Sequence, residues 1–192
     1  VGGGGSGVDV AASALGGVHV LRPGDAQLHA SATALPSGVQ LDVIWTGTAA
    51  STGSFLERVD AYVRSEPASH RRRMADLGQA AEAVAAACVD DDASRFIDAI
   101  AAYGEGLHAL GQDADVPIVS EHHAEIVRIA SSAGAVAKPS GAGGGDIALC
   151  LSTSRDVALA ATERLARAGF TTVRAPITPL GASVHATQRQ PS

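Results

Sequence analysis

A glycine-rich loop at residues 138–146 is the feature that most constrains the fold of this chain. Every residue from 141 to 145 is Gly or Ala, so the backbone there can approach a ligand closely and adopt positive φ angles. The apolar run 147–151 predicts a strand that anchors the loop. A positively charged Lys begins the loop and a negatively charged Asp ends it. This composition is typical of a loop packed against phosphates. Its members are Lys138, Pro139, Ser140, Gly141, Ala142, Gly143, Gly144, Gly145 and Asp146.

The periodicity around this loop predicts a β-loop-β-α-β arrangement. The predicted elements are strands at 135–138, 146–152 and 171–177 and a helix at 154–168. Turn formers separate three earlier strand candidates, at 17–22, 27–34 and 39–46. In the last of these, Leu41, Val43 and Trp45 alternate with Asp42, Ile44 and Thr46 as in a half-buried strand. Together these elements suggest an α+β layered domain of ferredoxin-like type.

Residues 54–134 are predicted to be mainly helical. Ser54 and Glu57 form a capping-box pattern, and Ser120 begins a further helix that runs to Gly134. Apolar residues recur at a spacing of three and four over 74–88 and again over 96–110. The two segments are expected to be antiparallel helices packed on each other or on the sheet.

A second glycine-rich segment opens the chain and leads into a carboxylate, Asp9. Ser6 and Asp9 have the spacing of a capping box, which predicts a helix from about Val8 to Leu15 that stops at the following glycines. Asp9 would lie in its first turn, where the helix dipole favours negative charge. It either caps the helix through the amide of Ser6 or lies beside an acceptor group, where it orients a nucleophile or takes up its proton.

Composition excludes several classes of protein. The 192 residues suffice for a sizeable core, with 46% hydrophobic and 18% charged residues. A net charge of −6 argues against nucleic acid as the main partner. No stretch has the length of a spanning helix or the form of a signal peptide, so neither a membrane nor export is expected. Cys88 and Cys150 lie in apolar contexts without a CxxC pattern, as buried thiols in a reducing cytoplasm do.

Three segments together resemble the GHMP kinase superfamily of small-molecule kinases, and the phosphomevalonate kinase branch in particular. They are the run from Ser6 to Gly17, the run from Ile44 to Thr52, and the loop 138–146. The resemblance extends from Gly5 to about Leu180. It implies a ferredoxin-like C-terminal kinase domain at 49–192 with a helical insertion, and a remnant of the N-terminal kinase domain at 1–48.

The resemblance also implies an activity. It indicates ATP-dependent phosphorylation of 5-phosphomevalonate to diphosphomevalonate in the mevalonate pathway of isoprenoid biosynthesis, with ATP and Mg²⁺ as cofactors. One alternative is a mevalonate kinase or another GHMP small-molecule kinase. An alternative of another class is a non-catalytic remnant that binds an anion or a partner.

The chain begins inside a glycine loop without an initiator Met. Within the family, an N-terminal half carries the ATP-binding Gly/Ser loop and a Lys, and neither has a counterpart here. We therefore expect this chain to be the C-terminal part of a kinase or an incomplete gene model. The missing half would be its partner, and the isolated fragment is expected to be inactive.

The resemblance assigns roles to particular residues. Asp9 is the candidate catalytic residue, and Ser51 and Thr52 are candidates to border the substrate pocket. No metal ligands are assigned, since magnesium would be held mostly by nucleotide phosphates and water. The candidate substrate- and phosphate-binding residues are Ser6, Gly7, Lys138, Ser140, Gly141, Ala142, Gly143, Gly144, Gly145 and Asp146.

Structural interpretations stand beside these roles. The loop glycines can serve turn geometry alone, Ser140 can cap the turn, and Asp146 can hold loop amides. The basic run Arg71–Arg73 is either a solvated helix face or a contact to an anionic substrate. His122 and His123 are adjacent, so on a helix they do not share a face, and the sequence shows no third ligand to complete a metal site. The spacing Gly2, Gly4 and Gly7 matches the dinucleotide fingerprint only in letters, because no strand precedes it.

Overall fold

The chain forms two compact units. The computed structural model describes residues 7–23, 28–50, 52–173 and 177–182, without the side chains of residues 52–54. One unit comprises residues 1–35 and 176–192, and the other comprises residues 36–175. The first unit contains Asp9 and the second contains the glycine-rich loop.

The first unit contains a short helix and a β-hairpin. Its elements are α1 (Val8–Leu15), β1 (Val18–Pro23) and β2 (Leu28–Thr33), and the two strands are antiparallel. The predicted bounds of the helix are confirmed, and each strand lies within its predicted segment to within one residue. Ser6, the other residue of the predicted capping box, lies outside the described residues.

Gly16 ends helix α1 with a positive φ of 65°. A Cβ at this position would collide with the backbone of Leu180, so only glycine fits there. The amide of Gly17 donates a hydrogen bond to the carbonyl of Thr178 over 2.7 Å, and the amide of Ala182 donates to the carbonyl of Ser13 over 2.8 Å. The segment 177–182 therefore packs along the end of α1.

The second unit is built on a four-stranded antiparallel sheet. Its strands are β3 (Gln40–Trp45), β4 (Val136–Pro139), β5 (Ile147–Ser152) and β6 (Thr171–Val173), in the order β4-β5-β3-β6. The connection from β3 to β4 passes over β5, and the connection from β5 to β6 passes over β3. These two interleaved β-α-β crossovers make the ferredoxin-like arrangement, which confirms the predicted fold class. The predicted extension of the last strand to 177 lies partly outside the described residues.

Helices fill both crossovers. The first contains α2 (Thr52–Ser65), α3 (Pro67–Val89), α4 (Ala93–Asp113) and α5 (Glu121–Ser132), and the second contains α6 (Arg155–Arg167). The capping pattern predicted that helix α2 begins at Ser54. The helix begins two residues earlier, a difference within the usual variation of helix ends. Helix α5 begins directly after Ser120 as predicted, because the Ser120 hydroxyl accepts a hydrogen bond from the His123 amide. Of the helices that the structure describes, none has the length and hydrophobicity to cross a membrane.

Helices α5 and α6 cover one face of the sheet and form the main core with it. Fully buried Ile126 and Leu165 from these helices meet Ile44 of β3. A second cluster joins α2, α3 and α4, as the apolar spacing of α3 and α4 predicted. Its buried members are Tyr62, Leu77, Leu110, Ala114, Val116 and Ile118.

Strand β3 buries the less apolar of its two faces. Asp42, Ile44 and Thr46 are buried, whereas Trp45 on the other face is 39% exposed. The reason is that the helices α5 and α6 cover the side to which Ile44 points. The buried hydroxyl of Thr46 is satisfied because it donates to the carbonyl of Thr48 and to that of Asp146 at the end of the glycine-rich loop.

Candidate functional site

The glycine-rich loop is the connection between the antiparallel strands β4 and β5. It is closed at its base by a hydrogen bond of 3.0 Å from the Ser140 amide to the carbonyl of Ile147. Four of its residues have positive φ angles, namely Gly141 at 70°, Gly143 at 77°, Gly144 at 78° and Asp146 at 58°. The repeated left-handed conformations fold the loop into a compact turn, and glycine adopts them with the least strain.

Three of the loop glycines are packed against the protein. A Cβ on Gly143 would collide with the carbonyl of Ile118, and one on Gly144 would collide with the ring of Phe55. A Cβ on Gly145 would lie 2.8 Å from the backbone of Ala49. By contrast, a Cβ on Gly141 would meet no atom within 4 Å. The protein therefore fixes one side of the loop and leaves Gly141 open.

Several loop amides lack a hydrogen bond within the described part of the chain. The Gly144 amide donates to Ile118 over 2.9 Å, and the Asp146 amide donates to Thr48 over 2.7 Å. Among the described residues, the remaining four amides, those of Gly141, Ala142, Gly143 and Gly145, make no hydrogen bond of normal geometry. Unpaired amides on buried residues such as Gly143 and Gly145 are rare in proteins. Successive amides in a turn with left-handed residues form a concavity that binds anions.

Asp146 ties the end of the loop to the segment after β3. Its side-chain Oδ1 accepts a hydrogen bond from the Ala50 amide over 3.2 Å. Its carbonyl oxygen accepts from both the amide and the hydroxyl of Thr46, each over 2.9 Å. These bonds hold the loop against residues 46–50, the segment in which the sequence resemblance was also found.

Lys138 lies at the start of the loop with its charge uncompensated. Its Nζ donates to the carbonyl of Pro139 over 2.8 Å and lies 5.3 Å from the centroid of the Tyr103 ring. In the described part of the chain no carboxylate pairs with it. Burial lowers the pKa of Lys138, because the charged form loses hydration. An anion bound nearby would offset that loss.

His123 is the most buried histidine that the structure describes, with an exposure of 0%. Its Nδ1 lies 3.0 Å from the hydroxyl of Ser120, and its Nε2 lies 3.3 Å from the carbonyl oxygen of Ile147. The pKa of His123 is lowered, mainly by burial and also by the positive charges of His122 and Lys138; the Ile147 hydrogen bond and Asp146 oppose these effects. Sequence reasoning considered this residue only as a metal ligand. The spacing from Ser120, a helix cap followed three residues later by a histidine, was the available signal.

The other predicted site residues belong to other elements or lie outside the described residues. Gly7 is the N-cap of α1 with φ of 73°, and Asp9 is exposed in the first turn of that helix. Ser6 and Ser51 are outside the described residues. Thr52 is the first residue of α2, and its side chain is not described.

The basic run Arg71–Arg73 separates into two kinds of residue. Arg71 and Arg72 are exposed on α3. Arg73 instead donates from Nε to Asp113 of α4 over 2.8 Å, and the hydroxyl of Tyr62 donates to the same oxygen over 3.1 Å. The Arg73 hydrogen bond lowers the pKa of Asp113. The carboxylate of Asp113 thus connects three helices, α2, α3 and α4.

Residues 81–171 match the protein-family model described as GHMP kinases C terminal. Over this region the chain is similar to the C-terminal domain of GHMP kinases. This finding confirms the resemblance that the two glycine-rich segments indicated. The matched region contains α4, α5, the glycine-rich loop and α6. The hydrogen bonds of His123 with Ser120 and Ile147 lie within it, whereas the loop contacts with Thr46, Thr48, Ala49, Ala50 and Phe55 extend outside it.

Known GHMP kinases share this sequence and fold over part of their length. The phosphomevalonate kinase of Streptomyces sp. (strain CL190) is 31% identical over 125 residues, which are 64% of this chain and 33% of that protein. The structure of L. major mevalonate kinase in complex with R-mevalonate has a TM-score of 0.72 at 25% identity. The match covers 86% of this chain and 49% of that one.

A third relative is Streptococcus pneumoniae phosphomevalonate kinase, solved in complex with phosphomevalonate and AMPPNP. The match has a TM-score of 0.65 at 20% identity, and it covers 79% of this chain and 43% of that chain. At that identity the similarity is one of fold. This chain therefore spans about a third of the curated relative and less than half of each of these solved structures.

Proposed function

We propose that the protein containing this chain is a GHMP-type kinase that phosphorylates 5-phosphomevalonate to diphosphomevalonate in the mevalonate pathway. The observation that carries the proposal is the glycine-rich loop, in which four amides make no hydrogen bond of normal geometry within the described part of the chain. The loop lies within the region that matches the family model described as GHMP kinases C terminal. The choice of acceptor is supported by the 31% identity to a phosphomevalonate kinase.

The loop supplies the positioning and charge that phosphoryl transfer requires. Transfer of this kind depends mainly on holding the reactants in line and on neutralising negative charge. The amides of Gly141, Ala142, Gly143 and Gly145 provide donors for phosphate oxygens. Lys138 adds a positive charge at the start of the loop, and its desolvated ammonium favours an anionic neighbour. Ser140 offers a further donor through its hydroxyl.

Asp9 is proposed to act at the acceptor. A carboxylate there can orient the acceptor phosphate and hold a proton from it while a phosphate oxygen forms the new bond to phosphorus. ATP, when bound, supplies the γ-phosphoryl group, and ADP leaves. Asp146 is assigned to loop geometry rather than to a chemical step, because its carboxylate already accepts a hydrogen bond from Ala50. Ser6, Gly7, Ser51 and Thr52 remain proposed substrate contacts.

Mg²⁺ is proposed to accompany the nucleotide. Among the described residues no group of three or more His, Cys, Asp or Glu side chains is arranged to hold a metal ion. We propose that phosphates and water hold the ion. We assign no step to it.

We further propose that an N-terminal half supplies the ATP-binding loop and that the helix and hairpin of the first unit belong to the N-terminal kinase domain, whereas β3 belongs to the sheet of the second unit. The active protein would then be a longer polypeptide or a complex, located in the cytoplasm. The 192-residue chain alone would show negligible turnover. Measurable kinase activity from this chain alone would contradict that part of the proposal.

The proposal is tested with the full-length protein in a coupled assay for ADP. Phosphomevalonate, mevalonate and homoserine are compared as acceptors, and the expected result is ADP formation that depends on phosphomevalonate. A preference for mevalonate would favour a mevalonate kinase, which the structural similarity to the L. major enzyme makes the second candidate. No acceptor-dependent ADP formation in a folded protein would favour the non-catalytic remnant.

A further inference from the structure

The contacts of His123 fix which of its ring nitrogens carries the proton. The carbonyl oxygen of Ile147 can only accept a hydrogen bond, so Nε2, 3.3 Å away, must donate. In the neutral ring Nδ1 is then an acceptor. It receives the hydroxyl proton of Ser120 over 3.0 Å, while the same hydroxyl oxygen accepts from the His123 amide over 3.3 Å. Every polar atom of the ring thus has a partner.

The carbonyl of Ile147, which accepts the hydrogen bond from the His123 ring, lies at the base of the glycine-rich loop. Ile147 accepts two hydrogen bonds, one from the His123 ring and one from the Ser140 amide, which closes the loop. The histidine therefore holds the residue at which the loop returns to β5. Because the ring is fully buried, its position is set by packing as well as by these bonds.

The segment just before α5 holds the loop at a second point. The carbonyl of Ile118 accepts the hydrogen bond from the Gly144 amide, and Ser120, two residues later, caps the helix that carries His123. One continuous stretch, residues 118–123, therefore contacts both the middle and the base of the loop. A change in the ring position of His123 would be transmitted to the amides that lie between these two points.

We propose that His123 is a positioning residue of the glycine-rich loop, which holds the loop amides in their phosphate-binding arrangement through the Nε2–H···O=C bond to Ile147. The inference rests on the proposed function for its consequence in catalysis. Its structural content is independent of that function, since the contacts are present without substrate. His123 itself would touch neither substrate nor nucleotide.

Replacing His123 by Gln or by Asn separates its contact with the loop from its contact with the helix cap. The amide of Gln reaches about as far from the backbone as Nε2, whereas the amide of Asn reaches about as far as Nδ1. His123→Gln should keep a donor to Ile147, and His123→Asn should keep only the contact with Ser120. His122→Gln is the matched control, because His122 is exposed, adjacent on the same helix and packed edge-to-face with Phe170 rather than on the loop.

The first readout needs no substrate. In the full-length protein labelled with [¹⁵N]glycine, the amide signals of Gly141, Gly143, Gly144 and Gly145 should move in His123→Asn and stay near their wild-type positions in the Gln variant and the control. The same loop signals in His123→Asn as in the wild type, or equal shifts in all three variants, would overturn the proposal. A ¹⁵N spectrum of the wild-type histidines adds a test that requires no variant. An Nδ1–H tautomer or an imidazolium at His123 at neutral pH would also overturn it.

The second readout is steady-state kinetics of the same proteins. His123→Asn should lower kcat about tenfold to a hundredfold with a smaller change in KM, as expected of displaced reacting groups, and His123→Gln should restore most of the activity. Equal kcat in the Asn and Gln variants would mean that His123 only stabilises the helix cap. If the wild-type protein has no kinase activity, the proposed function fails while the glycine spectra still decide the positioning role.

Discussion

The packing of the glycine-rich loop predicts that its glycines differ in their tolerance of a single methyl group. Gly143 and Gly141 have similar positive φ angles, 77° and 70°. A Cβ on Gly143 would collide with the carbonyl of Ile118, whereas one on Gly141 would meet nothing within 4 Å. Gly143→Ala and Gly141→Ala therefore share the backbone strain and differ only in the collision.

The expected magnitudes follow from these two effects. A left-handed conformation costs an L-residue about 1–2 kcal/mol, and this applies to both variants. In Gly143→Ala the loop must also move away from Ile118, which adds about 1–3 kcal/mol of overpacking. That movement breaks the hydrogen bond from the Gly144 amide to the same carbonyl, for a further ~0.5–1.5 kcal/mol. Gly143→Ala should therefore be less stable than Gly141→Ala by about 1.5–4.5 kcal/mol.

Urea denaturation of the 192-residue chain measures the difference. The single tryptophan of the chain, Trp45, is the residue before Thr46, whose hydroxyl bonds to the end of the loop, so its fluorescence reports on this region. Far-UV circular dichroism gives an independent probe of the same transition. Equal midpoints for Gly143→Ala and Gly141→Ala would refute the argument that contact with Ile118 requires glycine at 143.

Four further predictions concern other parts of the chain. Gly78→Ala should raise the free energy of unfolding by about 0.5–1 kcal/mol, because the position is helical and open, and urea midpoints check this. Gly111→Ala should lower it by about 1–3 kcal/mol in the same assay, because its Cβ would lie 2.7 Å from the carbonyl of Val116. Asp9→Asn in the full-length protein should lower kcat at least about a hundredfold with an unchanged thermal midpoint, and unchanged turnover would leave Asp9 as a helix-end residue only. The pKa of His123 is lowered in the folded state, so the unfolded chain binds more protons below a pH of about 6.5. The free energy of unfolding should therefore fall there as the pH falls, by at most about 1.4 kcal/mol per pH unit. His123→Gln should remove that part of the pH dependence, as measured by urea denaturation at pH 7.5 and 5.5.

Local patterns predicted most of the elements. The ends of α1 follow from glycines on both sides of it, and the start of α5 follows from the capping serine at 120. The apolar spacing at 96–110 predicts α4, because one helical stripe must be buried against a neighbour. These signals act within a few residues, so they can be read without knowing what packs where.

The buried face of β3 and the role of His123 depend on distant residues. Alternation shows that β3 has two faces, but which face is buried depends on where α5 and α6 pack. The burial of His123 depends on the same packing of α5 against β5. Likewise, composition indicated a phosphate-binding loop, whereas its anchoring points at Phe55 and Ile118 became visible only in the folded chain.

The measurement that tests the central claim most directly is a titration of the [¹⁵N]glycine-labelled full-length protein with 5-phosphomevalonate and AMPPNP. If the loop binds phosphate groups, the amide signals of Gly141, Gly143 and Gly145 should shift on saturation, and the signal of the distant Gly78 should not. Binding of both ligands without any shift of the loop signals would contradict the account, because the unpaired amides would then have another role.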